Sequence, residues 1–382
     1  MKIKVATPQC GEEEAAAVRD VLLSGNYVSG AIVREFEERF ADYIGVRHAV
    51  AVNSGTAAIH AALAALDIGP GDEVIVPALT FFSTITAVIH QGAVPILADI
   101  SRDNYCLDPA DAARRITLRT KAIMPVHFFG HAADMDGIRQ VTGDAGLYVI
   151  EDAAQSHGTS IGGHVTGSIG DMGAFSLFAT KHMTTGEGGI VTTDNGDHAE
   201  MMRSFRSHGM RGRDEHVLLG YNYRMTEIAA AIGLKQLTKL DRLNAGRIRV
   251  SEALIERLSD IPWLTLPKVR AIVRHTYFWC HAEIDEQRLG MTTAELIARL
   301  FEAGIEVRNR YKAPLNEQPL LTSNIPPILK LSAGDHLPDY GSMSFPVAKS
   351  VAGHIIGLPN RPDMTEEEID YVSDVIRTIG RN

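Results

Sequence analysis

The stretches YVIEDAAQSHG, residues 148–158, and AFSLFATKHMTTGEGG, residues 174–189, decide the reading of this chain. Each opens as a short apolar run and ends in small and polar residues, the pattern of a strand that delivers its last residues to the edge of a sheet. Asp152 closes the first run, and Lys181 lies about thirty residues beyond it, just after the second. A lysine amine condenses with an aldehyde, and a carboxylate holds a pyridine nitrogen protonated so that the ring accepts electrons. Together they are the protein's part in pyridoxal phosphate (PLP) chemistry. Taken alone, either residue reads more simply, as a solvated lysine or a turn aspartate. Only the motifs around them reverse that reading.

Working outward, apolar runs of strand character recur from His48 to Thr193: HAVAV, EVIVP, VPILADI, AIMPVH, LYVIED, AFSLF and GIVTT. Continuous apolar runs bounded by turn residues belong to strands buried on both faces, which predicts an α/β domain with a mostly parallel, mixed sheet flanked by helices. Helix starts are readable at NSGTAAIHAALAAL and at Asp108-Pro109, with Asp as N-cap and Pro at the first helical position. From Thr226 to Asp260 apolar residues keep helical spacing, predicting one long helix between two domains, with a bend at Gly246. Beyond it, a strand-like TYFWCHAEI, the helix signature TTAELIARLFEAG and a capping box at Thr365 and Glu368 predict a smaller α+β domain. The expected division is residues 1–245 and 246–382.

Composition narrows the class. The 45% hydrophobic and 22% charged residues suit a folded globular chain and leave no case for disorder. A net charge of -10 with scattered lysines and arginines argues against nucleic acid as partner. Cys10, Cys106 and Cys280 form neither a disulfide framework nor a zinc signature and fit a reducing compartment. The acidic N-terminal stretch and the lack of a membrane-length apolar run predict a cytoplasmic protein.

The remaining motifs serve a cofactor of this kind. Gly55, Thr56 and Ala57 open a helix directly after a strand, where backbone amides bind a phosphate; a simple capped helix start is the competing reading. Phe81 and Phe82 stand just past a strand, at the carboxyl edge where ligands of open α/β sheets sit, so that one of them can stack on a flat ring or both can pack in the core. Gln155, three residues after Asp152, can reach a ring oxygen if the chain turns helically. Ser176 offers a hydroxyl for the phosphate, and Gly186, Gly188 and Gly189 let backbone pass close to a bulky ligand. His157 is expected to pack. The histidines at 127, 131, 157, 164 and 182 lack zinc spacing, so no metal is expected. There is no GxGxxG fingerprint, P-loop, HExxH or Tyr-x-x-x-Lys pair.

These residues resemble the DegT/DnrJ/EryC1/StrS family of PLP-dependent sugar aminotransferases, which have the fold-type I (aspartate aminotransferase-like) architecture. The likeness runs from YVSG and EFEERFADYIGV through NSGTAAIHAAL, GDEVIVPALTF, KAIMPVHFFGHAADMD, VIEDAAQSHG, FSLFATKHMTTGEGG and GYNYRMTEIAAAIGLKQL to GIEVRNRYKAPL and LPNRPDMTEEEID. It implies that Lys181 forms the Schiff base, that Asp152 partners the pyridine nitrogen and Gln155 the ring oxygen, and that Phe81 is the stacking aromatic. It further implies that Ser176 and the Gly55-Thr56-Ala57 turn bind the phosphate and that Asn222 is donated by the second chain of a homodimer. L-glutamate is the implied amino donor, with a nucleotide-linked keto-sugar as acceptor; a keto-cyclitol is the alternative. A similar dehydratase branch carries histidine at the lysine position, and this chain keeps Lys181. HFFGH at 127–131 and KAPLNEQP after GIEVRNRY depart from the commoner family pattern at positions that border the substrate. Arg308, Arg310 and Tyr311 read as a solvated basic loop, or as contacts to a diphosphate.

Overall fold

The computed structural model describes residues 1–380. Seven strands form the main sheet: β1 (His48–Val52), β2 (Glu73–Pro77), β3 (Val94–Ala98), β4 (Thr120–Ile123), β5 (Tyr148–Asp152), β6 (Met172–Ser176) and β7 (Gly189–Thr193). Their order is β1-β7-β6-β5-β4-β2-β3. Only β7 runs against the rest, pairing antiparallel with β1 and β6. A parallel partner needs a long crossover, usually helical, whereas Leu177–Gly188 contains no helix and simply turns the chain back. Lys181 rides on that returning loop.

The apolar runs are continuous because both faces of the sheet are covered. Ala49, Ala51, Phe175 and Ile190 face a core built with Val33, Phe36 and Phe40 of α2 (Ala31–Ile44). Their neighbours Val50, Val52, Ala174 and Val191 face the larger core, which includes Ala57, Ala58 and Ala61 of α3 (Gly55–Ala65). Successive residues thus serve opposite cores, as the two-residue period of a strand requires. The large core also receives Ile85 and Val88 from α4 (Ser83–His90).

The long helix α5 (Glu227–Leu258) begins at the N-cap Thr226 and runs without a break. Gly246 does not interrupt it. It makes room for a crossing segment, since an added Cβ would sit 2.6 Å from the carbonyl oxygen of Pro362. The expected division at 245 and 246 falls inside this helix. A third core gathers Val250, Leu254 and Leu258 from its far half with Leu296 and Leu300 of α6 (Thr293–Glu302) and Ile369, Val372 and Ile376 of α7 (Glu366–Ile379). It lies against the antiparallel strands β8 (Leu264–Thr265), β9 (Cys280–Ile284) and β10 (Ile355–Leu358). Ile3 joins this core from the N-terminus, while Leu315, Leu321, Leu329, Tyr340 and Phe345 pack back on the large one. Among the described residues no helix is long and apolar enough to cross a membrane.

Candidate active site

Six strands end at one edge of the sheet, and β7 starts there, so the register Val52↔Gly189↔Ser176 brings three chain segments to one place. The approach is tight. A Cβ on Gly55 would lie 2.7 Å from Cβ of Ser176, and one on Gly189 would lie 2.2 Å from the carbonyl oxygen of Ser54. Ser54 caps α3 by accepting from the Ala57 amide at 3.1 Å. Of the three residues expected to open the helix, Ala57 therefore has its amide engaged. Those of Gly55 and Thr56 point out of the helix start without an acceptor among the described residues. Ser176, nearly buried, adds a hydroxyl beside Gly55. Two amides at a helix N-terminus with a neighbouring hydroxyl suit a phosphate dianion.

Asp152, the last residue of β5, is buried. Its Oδ2 accepts from the Thr84 hydroxyl at 2.9 Å and its Oδ1 from the Ala154 amide at 3.2 Å. Burial raises its pKa above the ordinary carboxylate value, opposed by the Thr84 and Ala154 hydrogen bonds and by the charge of Lys181. A cationic ring nitrogen is the partner that such a carboxylate favours. Gln155 is oriented without ambiguity: its Oε1 accepts from the Phe129 amide at 3.0 Å, so Nε2 is the donor, and it reaches the Tyr311 hydroxyl at 3.2 Å. The second Nε2 proton remains for a ring oxygen.

Lys181 is partly buried, with Nζ 4.6 Å from the centroid of the Phe278 ring. Burial pushes its pKa down to about 8; Asp152 opposes this and Arg308 and Arg310 reinforce it. A lysine so depressed is a nucleophile and base near neutral pH. His157 and His182 lie beside it, both buried, with ring centroids 5.5 Å apart. Burial drives both below the usual histidine range, and His157 falls to about 3, so neither competes for the proton. His157 also packs on Phe175, centroids 5.3 Å apart.

The two aromatics after β2 separate cleanly. Phe82 packs on the large core, while Phe81 keeps 48% of its surface exposed and offers a flat face at the sheet edge. Asn222 is exposed, and its carbonyl accepts from Nδ2 of Asn53 at 3.3 Å, next to the start of α3. Arg308 and Tyr311 are not a solvated loop. Arg308 stacks on Phe278 and Trp279, 4.9 and 5.6 Å from the ring centroids, and Tyr311 packs on Phe128 while accepting from Gln155. Arg310 is exposed.

Sequence reasoning passed over Thr84, Phe278 and the buried pair His127–Glu151. The Ala133 amide donates to Nδ1 of His127 at 3.0 Å, which leaves Nε2–H to donate to Glu151 at 2.8 Å. Glu151 also accepts from the amides of Gly167, Ile169 and Gly170. A readable signal existed here: a charged residue next to Asp152 in an otherwise apolar strand must point to the opposite face and needs fixed donors there. Among the described residues no cluster of three or more His, Cys, Asp or Glu could hold a metal ion.

The DegT/DnrJ/EryC1/StrS aminotransferase family is matched over residues 8–377. The chain is 39% identical over 378 residues to GDP-perosamine synthase of Caulobacter vibrioides, covering 97% of this chain and 96% of that protein. It is 37% identical over 384 residues to the spore coat polysaccharide biosynthesis protein SpsC of Bacillus subtilis, covering 97% and 95%. Among solved structures it is similar to NtdA of Bacillus subtilis with bound cofactor PMP, at a TM-score of 0.85 and 29% identity, covering 97% of this chain and 82% of that one. The donor set at the sheet edge fits such a cofactor at its phosphate, ring nitrogen, ring oxygen and ring face. The chain belongs to the DegT/DnrJ/EryC1/StrS aminotransferase family, with the fold-type I architecture and pyridoxal phosphate as cofactor.

Proposed function

We propose that this aminotransferase moves an amino group from L-glutamate to the keto group of a nucleotide-diphosphate-linked keto-deoxysugar, in a homodimer whose chains share each site. The observation that carries the reading is the convergence of Lys181, Asp152 and Gln155 on one sheet edge, beside Ser176 and the start of α3. Pyridoxal phosphate, when bound, supplies an electrophilic carbon and a ring that accepts an electron pair. The chain's residues do the rest. The Gly55 and Thr56 amides with the Ser176 hydroxyl would bind the phosphate, Phe81 would cover one ring face, and Gln155 Nε2 would donate to the ring oxygen. Asp152 would hold the proton on the ring nitrogen. Nζ of Lys181 would tether the cofactor and would move the proton at the carbon that bears the amine, and a pKa near 8 suits that task at neutral pH.

The likeness to a GDP-perosamine synthase and to a polysaccharide biosynthesis protein supports a nucleotide-linked sugar as acceptor. Arg310, exposed and close enough to depress Lys181, offers positive charge for a diphosphate. The test is to supply the cofactor-loaded protein with L-glutamate and, in turn, nucleotide-linked keto-deoxysugars and a keto-cyclitol, and to read the products by mass spectrometry. The expected result is an aminated nucleotide sugar, with a KM that rises with salt. Amination of the cyclitol alone would contradict the reading.

A further inference from the structure

Asp152 is held from two sides by donors of different kinds. The Ala154 amide reaches Oδ1 at 3.2 Å, and the hydroxyl of Thr84 reaches Oδ2 at 2.9 Å. Thr84 is fully buried, and its hydroxyl lies 3.2 Å from that of Thr80, itself nearly buried. With its one proton committed to a carboxylate, which can only accept when ionised, Thr84 must accept from Thr80. The chain of donors therefore runs Thr80 to Thr84 to Asp152, and its polarity is set by the charge at its end. An ionised carboxylate has room for about four hydrogen bonds, so two fixed donors leave lone pairs in a defined direction.

The backbone makes this more than a local contact. The Thr84 amide donates to the carbonyl of Phe81 at 3.1 Å, closing the first turn of α4. One turn thus presents the exposed ring of Phe81 and the hydroxyl that grips Asp152. β-Branched Thr84 has few rotamers inside a helix, so the hydroxyl direction is fixed by packing. The other charged or titratable groups that act on Asp152 are Lys181, from the loop between β6 and β7, His127, beyond β4, and Tyr311, the partner of Gln155.

We propose that Thr84, backed by Thr80, is a positioning residue: it keeps Asp152 ionised and aims its free lone pairs at the cofactor's ring nitrogen, in register with the Phe81 face. This rests on the cofactor role assigned above to Asp152. Without the hydroxyl, Oδ2 loses its fixed donor in a site where burial already favours the neutral acid. The ring nitrogen then keeps its proton less firmly. A ring without that proton repels the proton on Nζ of Lys181 less, so the lysine nitrogen holds its proton to higher pH.

The experiment is a pH titration of the visible absorption of the PLP-loaded protein, for wild type, Thr84→Val, Thr84→Ser and Thr80→Val, with PLP affinity and Tm measured alongside. Thr84→Val is expected to raise the titration midpoint by about one unit and to weaken PLP roughly tenfold. Thr84→Ser should restore the midpoint, and Thr80→Val should shift it in the same direction by less. A purely structural Thr84 would lower Tm and leave the midpoint in place, and that result overturns the proposal. If Thr84→Val does not fold, Thr84→Ala is read the same way, and an unshifted midpoint in Thr84→Ala and Thr80→Val together is equally fatal. A wild-type protein that shows no cofactor band when PLP is added would instead sink the cofactor role itself, a failure visible before any variant is made.

Discussion

Lys181 carries a cost as well as a function. Held at about 8 by burial, against an ordinary value of 10.5, its charged form is disfavoured in the folded apo chain. The sign follows from proton counting: between these values the unfolded chain binds more protons than the folded one, so the penalty is full below about 8 and fades as pH rises toward 10.5. Lys181→Met should therefore stabilise the apo protein at pH 7, by up to about 3 kcal/mol, and the gain should shrink above pH 8. Denaturant melts of both proteins at pH 7 and pH 10 check this, and a gain unchanged with pH contradicts it. Lys181→Ala, in turn, should lose the cofactor's visible band and all turnover. The placement of Lys181, Asp152, Gln155 and Ser176 at the sheet edge was legible in the sequence because each sits at or just beyond the end of a strand-like run, where chain order fixes position. Thr84 and Phe278 were not, nor was the contact of Tyr311 with Gln155, because these partners lie far apart in sequence and only packing brings them together.

At the scale of elements, two buried carboxylates fasten helices to one another. Glu227, at the start of α5, accepts from the amides of Gly30, Ile32 and Val33 at 2.8, 3.0 and 2.9 Å, and so closes the N-terminus of α2. Removing it leaves three amides unpaired, and Glu227→Ala should cost about 2–4 kcal/mol in chemical denaturation. A loss below about 0.5 kcal/mol would mean that water replaces it fully. Glu14, on α1 (Glu12–Ser24), accepts from Gln236 and Lys239 of α5 at 2.8 and 2.7 Å. Burial would raise its pKa, but the bonds from Lys239, Gln236 and the Gly11 amide outweigh it and hold it at about 2. Its stabilisation is present above 4.5 and is lost as pH falls from there toward 2, so Glu14→Gln should flatten the acid limb of the stability curve. The strands were readable here because both faces of the sheet are buried; HAVAV, EVIVP and GIVTT coincide with β1, β2 and β7. The reason for Gly246 in α5 was not, because it answers to Pro362, more than a hundred residues away.

On the scale of the whole molecule, the chain crosses between its cores more than once, with Ile3 in the one around the far half of α5 and Leu315–Phe345 on the largest. A sequence scanned from one end suggests a single boundary, since contact between distant segments leaves no local mark. The shared site is a further whole-molecule claim. Asn222 is exposed on a segment tied to Asn53, and if it serves the partner's site, Lys181→Ala and Asn222→Ala chains should complement each other. Random mixing should restore about a quarter of the sites. No recovery in verified heterodimers would place Asn222 in its own chain's site or outside both. If these residues assemble around PLP to take an amino group from L-glutamate, the absorption spectrum of the PLP-loaded protein must change when L-glutamate is added. The visible band of the lysine-bound cofactor should give way to the near-ultraviolet band of its amino form, with 2-oxoglutarate released; a band that L-glutamate leaves unchanged would rule out this half of the reaction.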